Sequence, residues 1–131
     1  MLYATSSDRQ DMSLPALDSV LVVEDDGLVQ MLIEDLVREQ GARRVHVCRT
    51  PQEALRVAED ERLDCAILDV SLWGGTSFAV ADALARRGVP FMFCTGRRAI
   101  DIDPRHRNRP ILGKPFTERE FYAALQRTLQ P

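Results

Sequence analysis

The stretch VLVVEDD, Val20 to Asp26, decides the fold. Four apolar residues without alternation suit a strand buried on both faces of a parallel sheet, and the run stops abruptly in three carboxylates. In an open α/β sheet the loops at the carboxyl ends of the strands converge on the ligand site, so Glu24, Asp25 and Asp26 stand where such a site forms. A dinucleotide-binding sheet needs a glycine loop there, its backbone N–H groups turned toward pyrophosphate. Three carboxylates exclude that reading, and no Walker A pattern occurs elsewhere in the chain.

Working outward, Leu28, Leu32, Leu36 and Val29, Ile33, Val37 form two i, i+4 rows of a helix that Gly41 would close. RVHVC (44–48) reads as a second strand. Thr50, Pro51 and Glu53 then supply the N-cap, first helical position and capping box of a second helix, reaching about Asp60. CAILDV (65–70) is a third strand, carrying one carboxylate, Asp69, near its end. After the turn GGTSF, Phe78, Ala81, Leu84 and Ala85 stripe a third helix that ends at Gly88. VPFMFCT (89–95) and PILG (110–113) are the fourth and fifth strands. TERE (117–120) is a capping box opening a last helix, with Phe121, Leu125 and Leu129 on one face.

Between the fourth and fifth strands, GRRAIDIDPRHRNR has no helical stripe and carries Pro104, so a helix there is short or irregular. Right-handed crossovers turn five such strands into an α/β fold, a parallel sheet covered on both faces. Residues 1–17 show neither helical nor strand period and read as a mobile tail, leaving 18–131 as one domain with no effector domain behind it.

Composition agrees with one globular domain: 131 residues, 45% hydrophobic and 28% charged. The apolar runs fall far short of the roughly 18 residues of a membrane span, and the N-terminus lacks the basic and apolar regions of a secretory signal. A cytoplasmic protein without membrane contact is expected. Three cysteines, Cys48, Cys65 and Cys94, match no metal or redox spacing and read as buried free thiols of a reducing compartment. A net charge of −3 gives no reason to expect nucleic acid. The arginine-rich segment from Arg97 to Arg109 is either a solvated face or a docking surface for an acidic partner.

The chemistry stands at the strand ends: Glu24 and Asp25 after the first, Asp69 at the third, Thr95 at the fourth and Lys114 after the fifth. Carboxylates converging in one crevice repel each other, and a hard divalent ion with oxygen ligands relieves this; Mg2+ suits a few carboxylates and retained waters. A hydroxyl and an ammonium on the same rim would hold the other oxygens of a phosphoryl group. Lys114 is the one lysine among seventeen basic residues. A compact ammonium on a flexible stem can move between carboxylate and phosphoryl oxygen in a tight site, where the planar fork of arginine needs more room.

VLVVEDD, AILDV, FMFCTG and GKPF, in this order at these strand ends, resemble the receiver domains of two-component response regulators, from about Val20 to Leu129. The resemblance implies a flavodoxin-like (βα)5 fold. It also implies that Asp69 accepts a phosphoryl group from the phosphohistidine of a sensor histidine kinase or a phosphotransfer protein. Asp25 directly, Glu24 through water, Asp69 and the main-chain carbonyl of Ser71 would hold Mg2+. Thr95 would bond the phosphoryl group and Lys114 pair with it, across a cis bond to Pro115. Asp26 lies outside the acidic pair and caps the first helix. Ser71 and Arg97, two residues past Asp69 and Thr95, stand where the family tunes dephosphorylation. The only catalysis implied is phosphotransfer to the protein's own Asp69 and its hydrolysis.

The chain departs from the family pattern at Ile111, where receivers carry a Tyr or Phe that follows the threonine as a rotamer switch. With PFMFCTG and the irregular fourth helix, this is similar to the FAT GUY receivers, although Cys94 replaces their alanine and Arg97 follows Gly96. That subgroup implies kinases of the HWE or HisKA2 type and a role in bacterial stress or adaptive signalling. Output would pass to another protein, through the about −1.5 to −2 charges that phosphorylation adds. A phosphate sink that drains a kinase and a phosphate-independent interaction module remain as alternatives. A haloacid dehalogenase-type hydrolase would need an aspartate at position 24, where Glu24 stands.

Overall fold

The computed structural model of the chain describes residues 17–96 and 101–130. Its elements run β1 (Ser19–Val23), α1 (Gly27–Glu39), β2 (Arg44–Cys48), α2 (Pro51–Asp60), β3 (Cys65–Leu68), β4 (Ser71–Leu72), β5 (Gly75–Thr76), α3 (Phe78–Arg86), β6 (Phe91–Thr95), β7 (Ile111–Gly113) and α4 (Glu118–Leu129). Five strands pair in parallel in the order β2-β1-β3-β6-β7, which is the flavodoxin-like arrangement expected. Strand order reverses between β1 and β3, so the crevice above their carboxyl ends is the switch point where such sheets bind ligands.

The absence of alternation in β1 has its cause in two cores. Leu21 and Val23 face the layer of α2 and α3, with Ala54, Ala58, Val80, Leu84 and Phe93. Val20 and Val22 face the layer of α1 and α4, with Ile33, Val37, Phe121 and Leu125. Burial of both faces leaves no position for a polar residue from Val20 until the strand ends at Glu24.

Helix ends follow the sequence signals closely. Asp26 caps α1, its Oδ1 accepting the N–H groups of Leu28 (2.9 Å) and Val29 (3.2 Å). The Thr117–Glu120 box at α4 is closed from both sides. The box expected at α2 is half formed: Thr50 Oγ1 accepts the Glu53 N–H, but the Glu53 carboxylate takes the N–H of Arg49 instead of that of Thr50.

Four features differ from the sequence reading or refine it. Of the two apolar rows of α1, Val29, Ile33 and Val37 pack on the core throughout, and Leu28, Leu32 and Leu36 reach it only at the last residue. Ile33, Leu36 and Val37 are buried, while Leu28 is 81% exposed, Met31 62% and Leu32 46%. An i, i+4 row drifts by about 40° per step, so a row that ends in the core at Leu36 begins outside it at Leu28. Ala85 of α3 is likewise exposed. The GGTSF turn is part of a small hairpin in which β4 and β5 pair antiparallel. Residues 1–16 of the expected tail lie outside the described residues, and its last residue, Leu17, is buried against the α1–α4 layer.

Between β6 and β7, residues 97–100 also lie outside the described residues. A 3-10 turn, Pro104–His106, follows, capped by Asp103, whose carboxylate accepts the Arg105 N–H. Among the described residues, some of the basic charge here meets acids of the same chain. Arg105 bonds Asp103 and Asp82, and buried His106 lies 2.7 Å from Asp82 Oδ1 and packs on Phe91. Arg109 stacks over the Phe91 ring at 4.2 Å.

Candidate functional site

The site is an extension of the sheet. One residue past each strand, the parallel ladder continues: Glu24 N–H donates to Cys48 O, Asp69 N–H to Val23 O and Lys114 N–H to Thr95 O, at 2.9–3.1 Å. These bonds fix the backbones of Glu24, Asp69 and Lys114 in register, so their side chains enter one crevice. Thr95 ends β6 beside them at 1% exposure. The bond between Lys114 and Pro115 is cis, as the resemblance implies.

Glu24 and Asp69 are buried and Asp25 half-buried, and one carboxylate oxygen from each lies within 4.8 Å of the others. The Lys114 ammonium bridges two of them, donating to Glu24 Oε1 at 2.5 Å and Asp69 Oδ2 at 3.0 Å. Burial raises the pKa of Glu24, although the bonds from Lys114 and the Asp26 N–H oppose it. Burial alone would lower the pKa of Lys114, but its two carboxylate partners outweigh that and raise it, so the amine stays charged. One ammonium against three carboxylates leaves the crevice negative, a deficit that a divalent cation would offset.

The hydrogen bonds sort the oxygens. Glu24 Oε1 faces Lys114 and Oε2 accepts the Asp26 N–H at 3.1 Å. Asp69 Oδ2 faces Lys114, and Asp25 Oδ2 accepts the Trp73 N–H at 2.9 Å. Among the described residues, the hydrogen bonds made to these two aspartates engage their Oδ2 oxygens. Two hard, single oxygens beside a buried carboxylate fit a small oxygen-seeking cation that keeps most of its water.

Of the sequence-derived residues, Glu24, Asp25, Asp69, Thr95 and Lys114 come together at this rim. Ser71 opens the β4–β5 hairpin two residues past Asp69. Arg97 lies outside the described residues. Ile111 sits in β7 opposite Phe93 and packs against the α2–α3 layer. Three supports escaped the sequence reading: Trp73 through its N–H, Arg49 donating to Asp25 O at 3.3 Å, and Gln30 donating to Glu24 O at 3.1 Å. Gly74 and Gly75 announce a turn at the first, but not the bond its backbone makes. No residue pattern signals the other two.

Residues 20–126 match the family model of the response regulator receiver domain, a span that contains every residue of the crevice. The phyllosphere-induced regulator PhyR of Methylorubrum extorquens is 29% identical over 125 residues, 92% of this chain and 46% of that protein. This chain spans about half the length of the curated relatives it matches. Among solved structures, SdrG from Sphingomonas melonis aligns with a TM-score of 0.75 at 42% identity, over 86% of this chain and 96% of that one. The receiver domain of a Pseudomonas aeruginosa sensor histidine kinase aligns at 0.72 and 27% identity, over 88% and 100%, and was solved with a magnesium ion in its active site cleft. The sheet order, the acid–lysine crevice and the family match together establish that the chain belongs to the response regulator receiver domains of two-component signalling.

Proposed function

We propose that this receiver accepts a phosphoryl group on Asp69 from the phosphohistidine of a partner kinase or phosphotransfer protein. The observation that carries this is the setting of one buried carboxylate: Asp69 accepts from Lys114 through Oδ2 and has a carboxylate oxygen within 4.8 Å of oxygens of Glu24 and Asp25. In the step, one Asp69 carboxylate oxygen attacks phosphorus, the P–N bond to the donor imidazole breaks, and its electron pair returns to the ring nitrogen. The product is an acyl phosphate. Lys114 then passes from carboxylate to phosphoryl oxygen, and the Thr95 hydroxyl donates to a second phosphoryl oxygen. Asp25, Asp69, the Ser71 carbonyl and, less directly, Glu24 would hold Mg2+, which would neutralise charge on the transferring group.

The donor docks across the rim. Leu28, Met31 and Leu32 near the start of α1 and Trp73 at the hairpin tip are the large apolar side chains most exposed among the described residues. An apolar helix of a kinase covers such a patch without burying charge. The donor class is a kinase of the HWE or HisKA2 type, consistent with the FAT GUY features at Ile111 and PFMFCTG. The role is cytoplasmic stress signalling by protein–protein contact, which the likeness to PhyR, described as a stress response regulator, supports.

The test is the intact mass after incubation with a small phosphodonor and Mg2+, and then with a phosphorylated kinase. One added phosphoryl group, absent in Asp69→Asn, is the expected result. No gain from either donor would leave a phosphate-independent module. A lifetime of seconds would favour a phosphate sink, and one of hours a signalling role.

A further inference from the structure

We infer that the main-chain N–H of Trp73 is a positioning group that leaves Asp25 one oxygen for metal and so biases the crevice toward a small octahedral cation. This rests on the proposed metal role of Asp25. The bond from Trp73 N–H to Asp25 Oδ2 is 2.9 Å long and reaches across 48 residues of sequence, from the tip of the β4–β5 hairpin to the end of β1.

The hairpin is built to hold that N–H still. Leu72 anchors it in the α2–α3 core at 8% exposure. On its other side the backbone lies against α2: a Cβ at Gly74 or Gly75 would come 3.8 Å from Pro51. Arg49 fixes the same aspartate from behind, through its carbonyl oxygen. The Trp73 indole is 80% exposed and contributes little to this anchoring, so the positioning falls to the backbone.

The consequence is a choice of cation. A carboxylate with both oxygens free can chelate Ca2+, which takes 6–8 oxygen ligands and accepts bidentate carboxylates. With Oδ2 engaged by an N–H, Asp25 offers Oδ1 alone, the single-oxygen contact that Mg2+ prefers. Groups that orient a ligand in this way alter metal affinity by about 10–100-fold when removed.

Two substitutions separate backbone from side chain. Trp73→Ala keeps the N–H. Trp73→Pro removes it, and the turn can take proline, because Gly74, at φ 95°, sits third in a turn whose second position favours that residue. Mg2+ and Ca2+ titrations of the metal-free chain are followed by calorimetry. In Trp73→Ala both affinities should stay within about twofold of wild type, while Trp73→Pro should lose about tenfold for Mg2+ and less for Ca2+. Two variants that bind alike, or a Trp73→Pro that weakens both ions equally, overturn the inference and leave the metal site intact. A wild type that binds no Mg2+ overturns the metal reading itself. Should Trp73→Pro not fold, hydrogen exchange decides: the Trp73 amide should be protected in wild type and released in Asp25→Ala, and an unprotected amide in wild type overturns the inference.

Discussion

Replacing Lys114 with methionine keeps an unbranched side chain, one atom shorter, and removes its charge. Lys114 makes two charge-assisted bonds to side chains that are 2% and 11% exposed, and is itself 20% exposed. Breaking a buried ion pair from one side costs about 3–5 kcal/mol. Part of this is recovered, because Glu24 can take up a proton once the ammonium is gone, so a loss of about 2–3 kcal/mol near neutral pH is expected without metal. The sign of the pH dependence follows from Glu24. Its folded pKa is already raised above the ordinary value of 4.5, chiefly by burial. A carboxyl raised in this way adds stability that is full below its unfolded pKa and is lost as pH rises through its folded pKa. Without Lys114 the folded value climbs further, so the deficit of Lys114→Met should be large at neutral pH and shrink toward about pH 5. Mg2+ should restore about 2.7 kcal/mol at a hundredfold excess over its dissociation constant. Urea denaturation in chelator at several pH values, repeated with Mg2+, reads all three effects. A variant as stable as wild type near neutral pH, or a deficit that grows on acidification, would refute the ion-pair account of the crevice.

Neighbouring acids should separate cleanly. Asp26→Ala should cost about 1 kcal/mol through the lost cap while leaving Mg2+ affinity unchanged, and Asp25→Ala should do the reverse, as denaturation and metal titration will show. The double variant Leu28→Ser and Leu32→Ser should change stability by no more than about 1 kcal/mol, because both residues are exposed. It should slow phosphotransfer from a kinase and leave small-donor labelling alone; equal slowing of both would discard the docking surface. Burial pushes the thiols of Cys65 and Cys94 up to about 12 and that of Cys48 to about 11. All three should resist a thiol reagent until the protein unfolds, and rapid labelling of folded protein would contradict their burial.

What the sequence disclosed is what chemistry constrains by residue type. Glu24, Asp69 and Lys114 were legible because a buried strand leaves no polar position until it ends, so a charged residue at that point marks the rim. The caps at Asp26 and Thr117 were legible because side-chain oxygens near a helix start have few other uses. The rows of α1 misled for a geometric reason: the sequence shows that Leu28 and Leu36 share a row, but the drift of the row relative to the core depends on where the helix is seated.

The Trp73 contact was hidden for a deeper reason. It is made by a backbone N–H, which every residue except proline carries, so no residue type at position 73 announces it. The same holds for the ladder bonds of Glu24, Asp69 and Lys114, which position the site through groups that the sequence does not distinguish. Side chains at the strand ends therefore specify which chemistry the crevice performs. At Asp25 a backbone N–H specifies which oxygen is engaged, and that choice exists only once the hairpin has closed against Pro51 and Asp25. Substitutions that keep every charged residue but shift the hairpin, such as a β-branched residue at Gly74 with its φ of 95°, should therefore weaken metal binding while a sequence reading would call the site complete.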